Sequence, residues 1–600
     1  MVVLVSDYFC PLLEDYYAED FIWINGLEVL NRPHLLGEIY WDLNHVNAKG
    51  YEACADLIFS KMRTPQLLHT IEELQVIDNR KAIPYIDLEL PDKQAQELRE
   101  YIEKIKGLYE VLPDKKIGSI VMNCNPFTLG HRYLIREARK QCDILYVFVV
   151  EEDKSYFSFE DRIRLVKEGV KDFGDVVVVP SGNFIISQRT FDAYFVKDKK
   201  ENVSYNPAED VIVFAAKIAP ALGIGVRFAG EEPFDRVTDH YNSAMMRLLP
   251  KFGVEFKVIE RKKQNGIPIS ASLVRRLLKE KKMDKIKELV PYSTYEYLRN
   301  EFSDSKSVLV LGGTKFMGIR LVEKLIEKKY FVTVANRGTQ KDKFGNKVER
   351  ILYDRLDEQT VKNTLKGKQY DIVFDTSAYS SMAVKNVLDY VICPRYVQVS
   401  SVAVYDNHRL DLGEEQFDAA KADYVLSQED DYGKGKRGAE CAALQGYPEK
   451  SIAIVRVPFV VEPDYSENRE MNMRLFFYVK HIAKELPFYV DNFDYCCSFV
   501  RTTEEADFLI HIAESEYDGV SNFASEGCIN VAEIIDYVEK KTGKKAIITS
   551  KGNSHPLYGT HFGYTGCSLN LDVAKRIGYI PSDLKTWIYK LLDKYIDELQ

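Results

Sequence analysis

Gly118-Ser-Ile-Val-Met-Asn-Cys-Asn-Pro-Phe-Thr-Leu-Gly-His131 decides how this chain is read. An apolar run enters a polar turn, and the turn delivers Gly130 and His131 to Arg132-Tyr-Leu-Ile-Arg-Glu-Ala-Arg139, which reads as a helix. A helix N-terminus offers free backbone N–H groups and a partial positive charge, which suit a phosphate. An imidazole beside them can donate to a phosphate oxygen. The stretch is expected to handle a nucleotide.

The surroundings support a sheet that holds this turn. Ile117–Met122, Ile144–Val150, Val176–Val179 and Val226–Ala229 are apolar and bounded by turns, with helical segments between them. That alternation predicts a parallel sheet covered on both faces. Ligands of such sheets sit at the carboxyl ends of the strands. Further on, Ile269-Ser-Ala-Ser-Leu-Val-Arg275 opens a helix that Ser270 or Ser272 can cap. Its first turn and Arg275 would face the β- and γ-phosphates of a triphosphate.

Five segments carry a family resemblance. They are Asn125-Pro-Phe-Thr-x-Gly-His-Arg-Tyr-Leu-Ile135, Phe159-Glu-Asp-Arg162, Phe184-Ile-Ile-Ser187 with Thr190-Phe191, Gly230-Glu-Glu-Pro-Phe-x-Arg-Val-Thr238, and Pro268-Ile-Ser-Ala-Ser-x-Val-Arg275. Together, over about residues 115–300, they resemble the catalytic domain of citrate (pro-3S)-lyase ligases. The resemblance implies that ATP with Mg²⁺ activates a small carboxylate, acetate, as an acyl-AMP. The acyl group would then pass to the thiol of a prosthetic arm on an acyl-carrier subunit. The substrate carboxylate is the nucleophile there, so the protein supplies positioning and charge stabilisation. His131 is assigned to the α/β-phosphates, and Arg275 with the Ser270–Ser272 helix start to the leaving pyrophosphate. Asn125, Phe127, Thr128 and Gly130 form the turn and are expected to bind ATP, and Gly230 would let the backbone approach adenine. No metal-ligand cluster is visible in the sequence.

After Asp304-Ser-Lys-Ser307, Val308-Leu-Val-Leu-Gly-Gly-Thr-Lys-Phe-Met-Gly318 reads as strand, glycine-rich turn and helix. Gly312 and Gly318 fit the first and third glycines of a dinucleotide turn, with Lys315 at the middle position. Gly313, Thr314, Phe316 and Met317 complete the turn. The next strand ends in Asn336-Arg337-Gly338, where an Arg suits a 2′-phosphate, so NADP is preferred over NAD. Asp354 and Asp375-Thr-Ser-Ala378 are expected to line adenine and ribose. Ser401 ends a strand, and Tyr432-Gly-Lys-Gly-Lys436 places Tyr432 and Lys436 on one helix face. A Lys beside a Tyr favours the phenolate and can hold a ribose, so Tyr432 can act as acid/base, with Ser401 polarising the substrate oxygen.

These residues, with Phe499-Val-Arg501-Thr-Thr-Glu504-Glu-Ala506, resemble extended short-chain dehydrogenases of the NAD-dependent epimerase/dehydratase type over about residues 306–595. The resemblance implies a sugar-nucleotide substrate. Some members of this branch bind other molecules without catalysis.

The first hundred residues carry Trp41-Asp-Leu-Asn-His-Val-Asn47, in which Asp42 and His45 resemble the last motif block of SGNH hydrolases. No nucleophile block precedes it, so the segment reads as a remnant packed as a cap. Gln94–Ile105 reads as a linker helix.

Composition bounds the rest. Six hundred residues, 46% hydrophobic, with a net charge of −10, predict a multidomain globular protein with no nucleic-acid or membrane partner. Ten cysteines without C-x-x-C spacing predict reduced thiols in a cytoplasmic protein. The expected fold is α/β. Two doubly wound Rossmann-like parallel-sheet domains, 110–302 and 306–600, follow a small α/β segment, 1–105. Three functional readings stay open: a ligase fused to a reductase or epimerase; a nucleotidyltransferase making a nucleotide-activated metabolite for surface-glycan synthesis, with a sugar-nucleotide epimerase or reductase domain that modifies it; or a C-terminal half that only binds. Oligomeric state is not encoded.

Overall fold

The computed structural model describes residues 92–108, 114–152, 155–186, 208–231, 236–264, 266–406, 409–428, 431–461, 473–549 and 566–599, with four short strands nearer the N-terminus. Residues 1–95 and 96–600 are separate compact units.

In the first unit, β1 (Val3–Ser6) pairs in parallel with β2 (Ile22–Asn25). β3 (Tyr40–Asp42) pairs antiparallel with β4 (His45–Val46), which sets Asp42 opposite His45. The side chains of that pair lie outside the described residues, as do Ser187, Thr190, Phe191 and residues 232–235.

Helix α1 (Asp92–Lys106) leads into the second unit and buries Leu98, Ile102 and Ile105 on one face. Tyr101 on the same helix donates to the Pro180 carbonyl at 2.9 Å. A parallel sheet follows, of β5 (Ile117–Met122), β6 (Ile144–Val149), β7 (Val176–Pro180), β8 (Ile224–Gly230) and β9 (Glu255–Ile259). Its order is β7-β6-β5-β8-β9. Strand order reverses at β5, so the Cys124–His131 turn leaves the sheet at its topological switch point, where a ligand crevice forms. β9 escapes a hydrophobic scan because it is an edge strand, with Glu255 and Val258 exposed.

Around this sheet lie α2 (Leu129–Arg139), α3 (Phe159–Gly169), α4 (Ala271–Lys279) and α5 (Tyr292–Phe302). Ile135, Leu165, Val166, Val274, Leu277 and Leu298 pack with β5, β6 and β8 in one core.

The second sheet holds seven parallel strands. They are β10 (Ser307–Leu311), β11 (Phe331–Asn336), β12 (Glu349–Leu352), β13 (Ile372–Asp375), β14 (Arg395–Ser401), β15 (Ser451–Val457) and β16 (Gly519–Asn522). The order is β12-β11-β10-β13-β14-β15-β16, the doubly wound arrangement. Helix α6 (Met317–Glu327) follows the glycine turn, and α7 (Tyr432–Gly446) carries the Tyr-x-x-x-Lys pair. Helix α8 (Thr502–Glu514) packs on the other face with Val397, Val399 and Val455.

The two sheets share packing. Tyr156 stacks on Phe331 with centroids 5.7 Å apart and rings 2° from parallel. The Phe302 and Phe331 centroids lie 6.2 Å apart, and Phe331 belongs to the core of the first sheet. Ion pairs flank the stack: Lys279–Glu349 at 2.5 Å, Lys281–Asp371 at 3.7 Å, and Lys329–Glu301.

The reduced-thiol expectation needs correction. Cys496 and Cys528 form a disulfide with Cα atoms 5.7 Å apart. Strand Cys496–Cys497 pairs with Ile529–Asn530, and that pairing brings together residues 32 apart in sequence. Motif spacing has no means of showing it. Among the described residues no helix is long and apolar enough to cross a membrane.

Candidate functional site

The first centre is the Thr128–His131 turn. Thr128 is the N-cap of α2, and its Oγ1 accepts the His131 N–H at 3.3 Å. In return the Thr128 N–H donates to His131 Nδ1 at 3.1 Å. Nδ1 is therefore an acceptor, and the proton of the neutral ring sits on Nε2. Burial, helped by the nearby Arg261 cation, lowers His131 to about 4. At neutral pH the ring is uncharged, and its Nε2–H is the donor it can offer.

Phe127 stacks on His131, with centroids 5.9 Å apart and rings 12° from parallel. Phe127 is fully buried, and a Cβ at Gly169 would stand 2.4 Å from its ring. Asn125 and Thr128 are buried as well. The motif assigns all three to nucleotide binding; their side chains instead brace the turn from behind. Asn125 Oδ1 accepts the Phe157 N–H at 3.0 Å.

The two sequence motifs meet. A Cβ on Gly130 would stand 2.9 Å from the Ile269 carbonyl oxygen, so only glycine lets the second motif approach. Ser270, not Ser272, caps α4, its Oγ accepting the Leu273 N–H at 3.2 Å. Arg275 Nη1 donates to the Asn125 carbonyl, and its Nη2 to Ser272 Oγ at 3.3 Å. Two helix N-termini, a neutral imidazole and a guanidinium thus share one surface. Gly230 ends β8; among the described residues a Cβ there would meet only Leu134, at 3.7 Å.

Arg162 belongs to one of the quoted motifs, yet its local sequence assigns it no role. It is fully buried and donates to the carbonyls of Asn123 (2.8 Å), Val150 (2.8 Å), Glu152 (2.7 Å) and Phe157 (3.1 Å), and to Asn123 Oδ1 (2.8 Å). One side chain thus ties together the chain leaving β5 and β6. A charged residue in a helical stretch gives no sign of such burial.

The second centre is a cavity of about 650 Å³ at the carboxyl ends of β10, β11, β13 and β14. Gly312, Thr314, Phe316, Met317, Arg337, Asp354, Ser401, Tyr432 and Lys436 all line it. Gly313 and Gly318, expected as cofactor contacts, are not among the residues that line it. A Cβ on Gly318 would lie 2.3 Å from the Gly312 carbonyl oxygen, and one on Gly313 would lie 2.9 Å from Val322. Both let α6 pack tightly against the turn. Phe316 carries a φ of 49°, rare for a side chain of its size.

Asp375 also departs from expectation. It is fully buried, receives both Arg355 Nη atoms at 2.7–2.8 Å, and accepts from Tyr396 at 2.7 Å. Arg355 and these hydrogen bonds outweigh desolvation and hold its carboxyl below the usual range. It has no capacity left for a ribose, whereas Thr376 and Ser377 do line the cavity.

Lys436 is buried and donates to the Val399 carbonyl at 2.9 Å. Its Nζ lies 4.6 Å from the Tyr379 ring centroid and 5.9 Å from that of Tyr432. Burial brings Lys436 down to about 8, with Asp375, Glu440 and Glu505 opposing the shift. Ser401 Oγ accepts the Ala403 N–H at 3.2 Å, which leaves its hydroxyl proton for a ligand. Ser400 is engaged by Glu440, which pairs with buried Arg456. Glu505 is fully buried, and neither carboxylate oxygen has a hydrogen-bond partner among the described residues. Burial pushes it up to about 8, against the pull of Lys436. Nothing in its local sequence marks it.

Among the described residues no group of three or more His, Cys, Asp or Glu side chains could hold a metal ion.

Residues 117–298 match the citrate lyase ligase C-terminal domain, and residues 308–523 match the NAD dependent epimerase/dehydratase family. The citrate (pro-3S)-lyase ligase of Escherichia coli strain K12 is 42% identical over 222 residues, 36% of this chain and 62% of that protein. The chain thus spans less than two thirds of the length of this relative. The chloroplast stem-loop binding protein of 41 kDa b of Arabidopsis thaliana is 28% identical over 117 residues, 17% of this chain and 31% of that one. The solved UDP-glucose 4-epimerase of Thermus thermophilus, in complex with NAD, is 16% identical with a TM-score of 0.37, covering 49% of this chain and 98% of that one. The turn that holds His131 lies in the part of the chain that matches the citrate lyase ligase C-terminal domain, and the cavity that holds Lys436 lies in the part that matches the NAD dependent epimerase/dehydratase family.

Proposed function

We propose that the first domain transfers the adenylyl group of ATP to a small carboxylate, and that the acyl group then passes to a thiol on an acyl-carrier subunit. The observation that carries this reading is His131, held neutral with its Nε2–H available at the start of α2. Such a donor stabilises charge growing on a phosphate with no prior proton transfer. The carboxylate oxygen attacks the α-phosphorus, and the bond to the bridging oxygen breaks. Pyrophosphate leaves toward Arg275 and the N-terminus of α4. Mg²⁺ would be carried mainly by the phosphates, since magnesium takes few protein ligands in such sites.

In the second domain we infer NAD or NADP in the cavity, the pyrophosphate bridge against the Gly312–Met317 turn and Arg337 at its mouth. The bound dinucleotide would supply hydride acceptance. Tyr432 would exchange the proton of a sugar hydroxyl, with Ser401 positioning that oxygen and Lys436 holding the cofactor ribose.

The deciding experiment is pyrophosphate release with ATP against CTP, across acetate and phosphorylated alcohols. Acetate-dependent release with ATP supports the ligase reading. Preference for CTP with a phosphorylated alcohol would overturn it.

A further inference from the structure

The segment that braces the nucleotide turn is itself held by the second domain. Ser155 Oγ donates to Asn123 Oδ1 at 3.1 Å, and the Phe157 N–H donates to Asn125 Oδ1 at 3.0 Å. Between them Tyr156 lies flat on Phe331, the first residue of β11. Its hydroxyl is buried and has no hydrogen-bond partner among the described residues, so ring contacts alone place it. Phe157 at 5.0 Å and Phe302 at 6.0 Å complete the aromatic clamp.

The phosphate helix is held in the same way. Lys279, the last residue of α4, pairs with Glu349, the first residue of β12, and its Nζ lies 5.8 Å from the Tyr370 ring centroid. Lys281 reaches Asp371, whose Oδ2 also accepts the Ser307 N–H at 2.7 Å. Arg275 rides on α4 one turn before Lys279. Both halves of the nucleotide surface, the Asn125–His131 turn and the Ser270–Arg275 helix start, are thus backed by residues of the other domain.

We propose that the dinucleotide-binding domain is a working part of the transferase site, with Phe331 a positioning residue for the His131 turn and Glu349 one for the Arg275 helix. This deepens the reading of that surface as a phosphate site and rests on it. An exposed ion pair contributes little by itself, so the stacked ring is the stronger of the two holds.

The full chain with Phe331→Leu, which keeps apolar volume and loses the ring, is compared with Phe331→Tyr, which keeps the stack. Hydrogen exchange is read in peptides covering 120–131 and 155–162, beside NAD binding as a check on the second domain. Phe331→Leu should raise exchange in both peptides and lower kcat for pyrophosphate release on the order of tenfold, less than the roughly hundredfold of a full 1 Å misplacement. KM for ATP should move less, and Phe331→Tyr should restore both readouts. Exchange that rises only beside residue 331, with NAD binding retained, overturns the proposal. If the unmodified chain releases no pyrophosphate, the ligase reading fails, while the exchange result still decides the positioning role.

Discussion

The Ile269 carbonyl oxygen sits where a Cβ of residue 130 would come within 2.9 Å of it. Gly130 is therefore the joint at which the two halves of the nucleotide surface close on each other. Gly130→Ala must push the Ile269 backbone away, and overpacking of this kind costs about 1–3 kcal/mol. The expected result is a lower Tm and loss of at least about 90% of pyrophosphate release, by analogy with small misplacements elsewhere. Unchanged kinetics would show that the motifs work apart.

His131 should titrate near 4 in the folded chain, against about 6.5 unfolded. The unfolded state then holds the extra proton between those values. The contribution to stability is complete above about pH 6.5 and is lost as pH falls toward 4. Histidine NMR should show no His131 inflection near 6.5, and pyrophosphate release should stay flat down to about pH 5. Thr128→Ala removes the cap and about 1 kcal/mol, and it should raise the His131 value by loosening the ring.

Arg162 serves four backbone carbonyls and the side-chain oxygen of Asn123. Arg162→Met keeps length but strands those acceptors, each worth about 1–3 kcal/mol when buried without a partner. Denaturant unfolding should show a loss of at least about 3 kcal/mol. Arg162→Lys should recover only part of it, because one ammonium cannot reproduce the planar fork of a guanidinium.

With Lys436 holding the cofactor ribose, as proposed, its value of about 8 places an inflection in cofactor binding there as the ammonium is lost. Affinity for NAD or NADP, read by fluorescence titration, should fall as pH rises from about 7 to about 9. Glu505 favours that ammonium, so Glu505→Gln should move the inflection to lower pH. A flat profile, or a shift upward, would remove Lys436 from the ribose.

The parallel sheets are legible in the sequence because β6 and most of β10 are continuous apolar runs, the signature of strands covered on both faces. The glycine turns and the Tyr432–Lys436 spacing are legible because short-range geometry fixes them. What stays hidden is set by contacts between distant residues. Phe127 looks like a ligand contact until Gly169 is seen making room for it much later in the chain. Asp375 looks like a ribose ligand until Arg355 and Tyr396 are found to occupy it. Cys496 and Cys528 meet only through strand pairing, and Glu255 and Lys257 interrupt the apolar run of β9.

The first domain sits against the amino ends of β11 and β12, at Phe331 and Glu349, whereas the dinucleotide cavity opens at the carboxyl ends of the same sheet. A six-residue strand such as β11 is roughly 20 Å long. The brace of the phosphate turn and the mouth of the cavity therefore use opposite ends of the same strands.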